Sequence, residues 1–428
     1  MRLAPLALAL ALFSPAARAQ FVPDYTAPSW GAPVPLDGDR PPDVGVLRSL
    51  RAPVDVHLTA GVDPALAPVA LSLAERAMDE LQFVLQWPLP LPDGDRGGSP
   101  SLDLYLTADG PPSVTVVDAL CPDTLWTRAT AFARVRATTD REALYRAVAE
   151  AVARASILGE NAESAPAASA AMAASLARSL TRQPADLDAV RELQRHPWRA
   201  LAWGTDTSHA RGDALLFDWL SSGWGGPTRP LLRGLVASPA QHTPASAPTL
   251  WSEPDLFDVA ARVFRDEPGG FDLALLNFAK ARATLGADTS LSGFADRTLS
   301  IEPARTTRWS QLPVWTLGPH AMEPGGVGVV AIDLNDAPTQ GEPALAVWVH
   351  ATPDLQWMAS AVRLAPDGHP LGAVDSAVIT NGEWSAQVES LEGVARVLVV
   401  LTCLGERRPD PEAPLPPRGW WSINAARG

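Results

Sequence analysis

The residues best spaced to do chemistry lie in one short run, Ala149-Glu150-Ala151-Val152-Ala153. The spacing is that of a His-Glu-x-x-His zinc helix, in which two imidazoles one turn apart hold the ion and the glutamate acts on its bound water. Both imidazole positions are alanine here, and a methyl group offers a metal no lone pair. Glu150 is left as a base with nothing to activate. The four-residue spacing supports a structural role for it instead, as the partner of Arg146 or Arg154 on the same helix.

Other chemistries find less support. Asp93, Asp95 and Asp103 surround Gly94, Gly97 and Gly98 and could offer oxygens to calcium, but the twelve-residue pattern of a dedicated calcium loop is missing, so a solvated turn is expected. None of the histidines His57, His196, His209, His242, His320, His350 and His369 stands three or four residues from another. No helical pair can chelate a metal, and each is read as a surface or capping residue, with a site built from distant histidines left open. There is no Gly-x-Ser-x-Gly turn and no cysteine beside a histidine at a helix start. Ser221-Ser222-Gly223-Trp224-Gly225-Gly226 reads as a helix terminator and turn. No catalytic residue, metal ligand or cofactor is assigned.

The elements that would position these residues follow from periodicity. Residues 20–46 are rich in Pro, Gly and Asp and read as an extended arm. Val54 to Leu58 alternates as a strand. Asp63 and Pro64 open a helix carrying Leu66, Val69, Leu73, Ala77, Leu81 and Val84 on one face, which stops before Trp87-Pro88. Strands follow at Ser101 to Leu106 and around Ala131 to Ala137. Thr139 and Glu142 form a capping box for a helix with Leu144, Val148 and Val152 on its buried stripe. Residues 47–160 thus make an α+β domain and 161–300 a helical subdomain broken by Pro, Gly and Ser. From Trp309 the period becomes two. Gly328 to Leu334, Ala344 to His350, Trp357 to Leu364, Ser376 to Ile379, Trp384 to Val388 and Ala395 to Cys403 are strands separated by turns such as Pro366-Asp367-Gly368 and Asn381-Gly382, the mark of an antiparallel β-sandwich over 308–404. A proline-rich tail occupies 405–428.

Bulk properties bound the setting. Residues 1–19 carry Arg2, an apolar run from Leu3 to Phe13 and the small-x-small sequence Ala17-Arg18-Ala19, the layout of a secretory signal peptide. The expected product is exported, periplasmic or extracellular, and no later run approaches the roughly 20 apolar residues of a membrane span. Net charge is −14, and −16 once Arg2 and Arg18 leave with the leader, which repels phosphate backbones and argues against nucleic-acid partners. Lys280 is the sole lysine, a composition bias. Cys121 and Cys403 would meet an oxidising compartment, where one bridge could tie the first domain to the last strand, and two buried thiols are the alternative. Fifteen tryptophans are present. Trp348, Trp357 and Trp384 fall in strand patterns and are read as core, while Trp420 and Trp421 in the tail are the best candidates for a surface contact, with docking onto the sandwich as the expected role.

The leader, the Gly/Asp loop before Leu102-Asp103-Leu104-Tyr105-Leu106, the helix around Glu150, the helices beyond it and the terminal strands together resemble a family of secreted gluzincin-like (zincin) metallopeptidases, over most of the mature chain. That resemblance implies a strand of the Asp-x-Tyr kind before a zinc helix, a glutamate from a later helix as third ligand, a helix like Gly212 to Leu220, and a C-terminal β-sandwich. Carried onto this chain, the general-base position falls on Glu150 and the two histidine positions on Ala149 and Ala153. The third-ligand stretch, Ser164 to Ala173, holds no carboxylate, and Glu160 and Glu163 before it are loop acids. The resemblance therefore implies a degenerate, metal-free member that binds a peptide or protein without cutting it. Two alternatives stand beside it: an active secreted hydrolase with rearranged ligands, and a carbohydrate- or cell-surface-binding protein acting through the sandwich.

Overall fold

The computed structural model describes residues 34–35, 40–121, 128–162, 165–203, 207–221, 256–285, 306–334, 344–406 and 416–427. The leader, most of the expected arm, Glu163, His242 and Trp224 lie outside them. The architecture is mixed α+β, with three sheets and seven α-helices among the described residues.

The first sheet has six strands: β1 (Val34–Pro35), β2 (Asp43–Arg48), β3 (Val54–Thr59), β4 (Leu102–Thr107), β5 (Ser113–Cys121) and β6 (Arg128–Arg136). Their spatial order is β1-β5-β6-β4-β3-β2, with β3, β4 and β6 parallel and the other pairs antiparallel. Alternation along each strand sorts its residues. Val54, Val56, Leu102, Leu104, Leu106, Ala131, Ala133 and Val135 enter the apolar core on one face. Asp55, His57, Asp103, Tyr105 and Phe132 fall on the other.

The apolar face is covered by α1 (Leu66–Asp79), which ends in a π-turn over Glu80–Val84, and by α2 (Arg141–Glu160). Asp140 caps α2, one residue beyond the expected Thr139, and its side chain accepts from the amides of Glu142 and Ala143. Five more helices follow: α3 (Pro166–Thr181), α4 (Leu187–Arg195), α5 (Ala210–Leu220), α6 (Leu256–Val263) and α7 (Gly270–Ala283). Arg282 of α7 is wholly buried, its guanidinium donating to the Gln194 side chain and the Leu193 carbonyl of α4. Desolvation holds its pKa down to about 10.

The remaining strands are β7 (Thr307–Trp309), β8 (Val314–Leu317), β9 (Val327–Asp333), β10 (Leu345–Ala351), β11 (Gln356–Leu364), β12 (Pro370–Val378), β13 (Glu383–Val388), β14 (Arg396–Gly405) and β15 (Trp421–Arg427). They form a five-stranded sheet ordered β12-β11-β14-β9-β7 and a four-stranded sheet ordered β13-β10-β15-β8, and side chains from both meet in one core around Trp357, Val399, Val347 and Ile423. The end of the chain differs from expectation. Trp421–Arg427 is an inner strand, paired to β10 on one side and β8 on the other, and not part of a loose tail. Its alternation, with Trp421, Ile423 and Ala425 inward, is too short to stand out beside the prolines that precede it.

Two contacts fasten the helices to these sheets. Ala279 and Ala283 of α7 lie against Val329, Val362 and Val400 on the outer face of the five-stranded sheet. The segment after α4 is also bonded to the segment before β9, through Leu201 N–H to the Pro324 carbonyl and Val327 N–H to the Pro197 carbonyl. Replacing Arg282 with alanine strands the Leu193 carbonyl and Gln194 in a dry interior and leaves a void. We expect it to lower unfolding free energy by about 3 kcal/mol, read by urea denaturation.

Candidate functional site

Helix α2 is buried almost all round. Beyond its exposed first turn (Arg141 to Ala143), Ala149 and Ala153 have no solvent exposure, and Arg146, Glu150, Arg154 and the final Glu160 are half-buried. Glu150 is paired, but across helices: Arg211 of α5 donates to its carboxylate at 2.8 Å and lies 3.7 Å from Asp186. The expected partners on α2 are engaged elsewhere, Arg146 with Gln183 and Arg154 with the Pro166 carbonyl. Glu160 ends α2 near Arg128, at 3.9 Å, and does not sit in a loop.

The densest charge cluster lies on the opposite face of the six-stranded sheet. Strands β3 and β4 run parallel with Asp55 beside Asp103 and His57 beside Tyr105. Asp118 joins them from β5, where the ladder skips it between Val117 and Ala119, a bulge that turns its side chain onto this face. Asp55, His57, Asp93, Asp103 and Asp118 are all buried. Charges cannot be left unpaired there, and Arg40 answers most of them. Its guanidinium reaches Asp103, Asp93 at 2.5 Å and Asp118 at 2.8 Å, while lying over the Phe132 ring.

The Gly/Asp loop closes the cluster residue by residue. Asp93 binds Arg40, Arg96 binds Asp118 at 2.7 Å, the Gly98 carbonyl accepts from Arg48, and the Ser99 hydroxyl donates to Asp55 at 2.8 Å. Gly97 lies so close to the Asp103 carboxylate that a Cβ built there would stand 1.7 Å from its oxygen, so only glycine fits without displacing the carboxylate. The loop is thus solvated at Gly94, Asp95, Arg96 and Gly98 and anchored through Asp93 and Ser99. Its acids face arginines and neighbouring strands, and of the three aspartates considered for calcium only Asp95 is exposed.

His57 was expected at the surface and is instead clamped. Nδ1 lies 2.7 Å from Asp43 and Nε2 2.8 Å from Asp103, with the ring stacked on Tyr105. Burial alone would lower its pKa, but the hydrogen bonds to Asp103 and Asp43 outweigh it and raise it. With both nitrogens engaged by carboxylates, this imidazole has no site from which to take a substrate proton. Asp93 is pushed up to about 6, chiefly by burial and then by the Asp103 charge. One of its oxygens receives no hydrogen bond, and a proton held there turns it into a donor toward Asp103.

The other expected residues scatter. His196 pairs with Glu192, His350 lies 3.8 Å from Glu383, and His320 stacks on Trp198. Among the described residues no group of three or more His, Cys, Asp or Glu side chains is arranged to hold a metal ion. Cys121 ends β5 and Cys403 lies in β14; both are buried and no disulfide joins them, so the thiol alternative describes the structure. Burial pushes the Cys403 thiol up to about 12. Trp357 and Trp384 are core, as expected, whereas Trp348 is exposed. Trp421 is buried against Gly318 and Gly328, which leaves Trp420 as the exposed member of that pair. No helix among the described residues is long and apolar enough to cross a membrane.

Sequence reasoning missed Arg40, Asp43, His57, Arg96 and Asp118 as a group. A signal was present in Asp55-Val56-His57 and Asp103-Leu104-Tyr105, where titratable groups recur with the strand period opposite an apolar face.

No family model matches the chain, and no curated protein matches it. Among solved structures, that of PirA is 16% identical over 27% of this chain and 95% of its own, with a TM-score of 0.19. That of Aeromonas hydrophila PliG, a periplasmic lysozyme inhibitor of g-type lysozyme, is 8% identical over 28% of this chain and 95% of its own, with a TM-score of 0.17. Likeness at that level carries no argument about fold or activity.

Two outcomes follow from the cluster. Arg40→Ala leaves three buried carboxylates facing one another, and we expect a loss of about 3–5 kcal/mol in unfolding free energy; Arg40→Lys, which keeps the charge but not the planar fork, should recover part of it. The folded-state pKa values of Asp93 and His57 both lie above their ordinary values, so the stability they contribute is present at low pH and lost as pH rises. For Asp93 the loss runs from about 4 through about 6, and for His57 it begins above about 6.5. Unfolding free energy from urea titrations should fall between pH 5 and pH 8, by up to about 1.4 kcal/mol per pH unit for each proton involved, and Asp93→Asn should flatten the lower part of the curve.

Proposed function

We propose that this chain is an exported binding protein without catalytic activity, in which a zincin-like first domain keeps the layout of a peptidase and none of its metal chemistry, followed by a β-sandwich. The observation that carries this reading is the complete burial of Ala149 and Ala153. At the two positions where imidazoles would have to project toward an ion stand wholly buried methyl groups packed into the apolar core. Glu150 is neutralised by Arg211 and is not directed at a substrate. Among the described residues the one buried histidine flanked by carboxylates, His57, has both nitrogens committed.

Export rests on the leader-like residues 1–19, and the acidic charge argues against nucleic-acid partners. Binding of a peptide, a protein or a cell-surface glycan is the activity left to such a scaffold. The test is elemental analysis of the purified protein after dialysis against zinc, beside a casein digestion with and without chelator. Well under one zinc per chain and no chelator-sensitive digestion are expected. One zinc per chain, or digestion that a chelator stops, overturns the reading.

A further inference from the structure

The outer face of the four-stranded sheet carries tryptophan where a solvent-facing sheet would carry small polar residues. Register places Trp315 of β8 opposite Asn424 of β15, Asn424 opposite Trp348 of β10, and Trp348 opposite Ser385 of β13. Trp315 is 63% exposed and Trp348 41%, while the residues flanking them in sequence, Val314, Thr316, Val347 and Val349, are buried. The adjacent row reads Leu317, Ser422, His350 and Glu383. Beyond it Trp420, 55% exposed, is bound through its backbone to Thr352. Three exposed indoles on one face of one sheet form a patch that calls for an occupant.

We propose that this face binds a β-1,4-linked glycan, a proposal that rests on the reading of the chain as a binding protein. The row sets two indoles about two strand spacings apart, roughly 10 Å, which is also the advance of a disaccharide along an extended β-1,4-linked chain. Pyranose rings in such a chain present flat arrays of C–H bonds that stack on indole faces, and their hydroxyls point sideways into the plane of the sheet. Asn424 between the indoles, and Ser385, Ser422 and His350 around them, offer donors and acceptors at that level. A protein partner would instead find one aliphatic side chain, Leu317, among these rows. An α-linked chain coils, so its successive rings do not keep the flat, straight repeat of a β-1,4-linked one.

The test uses the full chain against insoluble chitin and cellulose, with amylose as the α-linked control, and calorimetric titration with chito- and cello-oligosaccharides of two to six units. Retention on at least one β-1,4-linked polymer and not on amylose is expected, with affinity stepping up between the disaccharide and the trisaccharide, the shortest chain whose first and third units cover both indoles. Trp315→Ala and Trp348→Ala should each weaken binding about tenfold, the scale of one lost stacking contact, without changing Tm, because both side chains lie outside the core. Absence of retention on both polymers, equal retention on amylose, or unchanged binding by both variants overturns the proposal. So does a concentration-dependent dimer that dissociates in the tryptophan variants, which would assign the face to a second copy. Zinc-dependent proteolysis would overturn the non-catalytic reading while leaving a positive glycan result standing, so the two fail separately.

Discussion

A sheet whose central parallel strands are buried on both faces must find cover for each, and the six-stranded sheet finds two kinds. Helices α1 and α2 bury Val54, Val56, Leu104 and Leu106 on one side by simple exclusion of water. On the other side Asp55, His57, Asp103 and Asp118 are buried as charges, and no apolar layer could rest on them. Arg40 and the loop Asp93 to Ser99 are that layer. One guanidinium reaches three carboxylates because its planar fork presents several donors at once, and its pKa stays raised because hydrogen bonding to Asp118 and the charges of Asp103 and Asp118 outweigh burial.

The same economy explains α2. A helix placed between a sheet and helices α1 and α3 has little solvent face to spare, and small side chains allow close approach. Alanine at 149 and 153 is then what packing demands, whatever stood there in an ancestor. The one polar stripe, Arg146, Glu150 and Arg154, is served by Gln183, Arg211 and the Pro166 carbonyl, each from another element.

The C-terminal sheets follow a different rule. They share one apolar core, and α7 covers the far side of the five-stranded sheet with Ala279 and Ala283. The four-stranded sheet keeps an outer face that, among the described residues, no element covers, and there the alternation of strands β8 and β10 delivers tryptophans to water. A buried indole such as Trp357 and an exposed one such as Trp348 occupy equivalent strand patterns, and only which sheet face has a partner distinguishes them.

From the sequence alone came what depends on neighbouring residues. Period two and period 3.6 placed the strands around residues 328–403 and the helix over Glu150, and lone-pair chemistry ruled the two alanines out as ligands. The mixed α+β class follows from those periods. What covers each face was decided only by tertiary structure. Arg40 stands 63 residues from Asp103, and Arg211 stands 61 from Glu150, so neither pairing leaves any trace in local spacing. His57 and Trp348 went astray for the same reason. Alternation says which residues share a face, but burial of that face is set by whichever distant segment comes to lie on it.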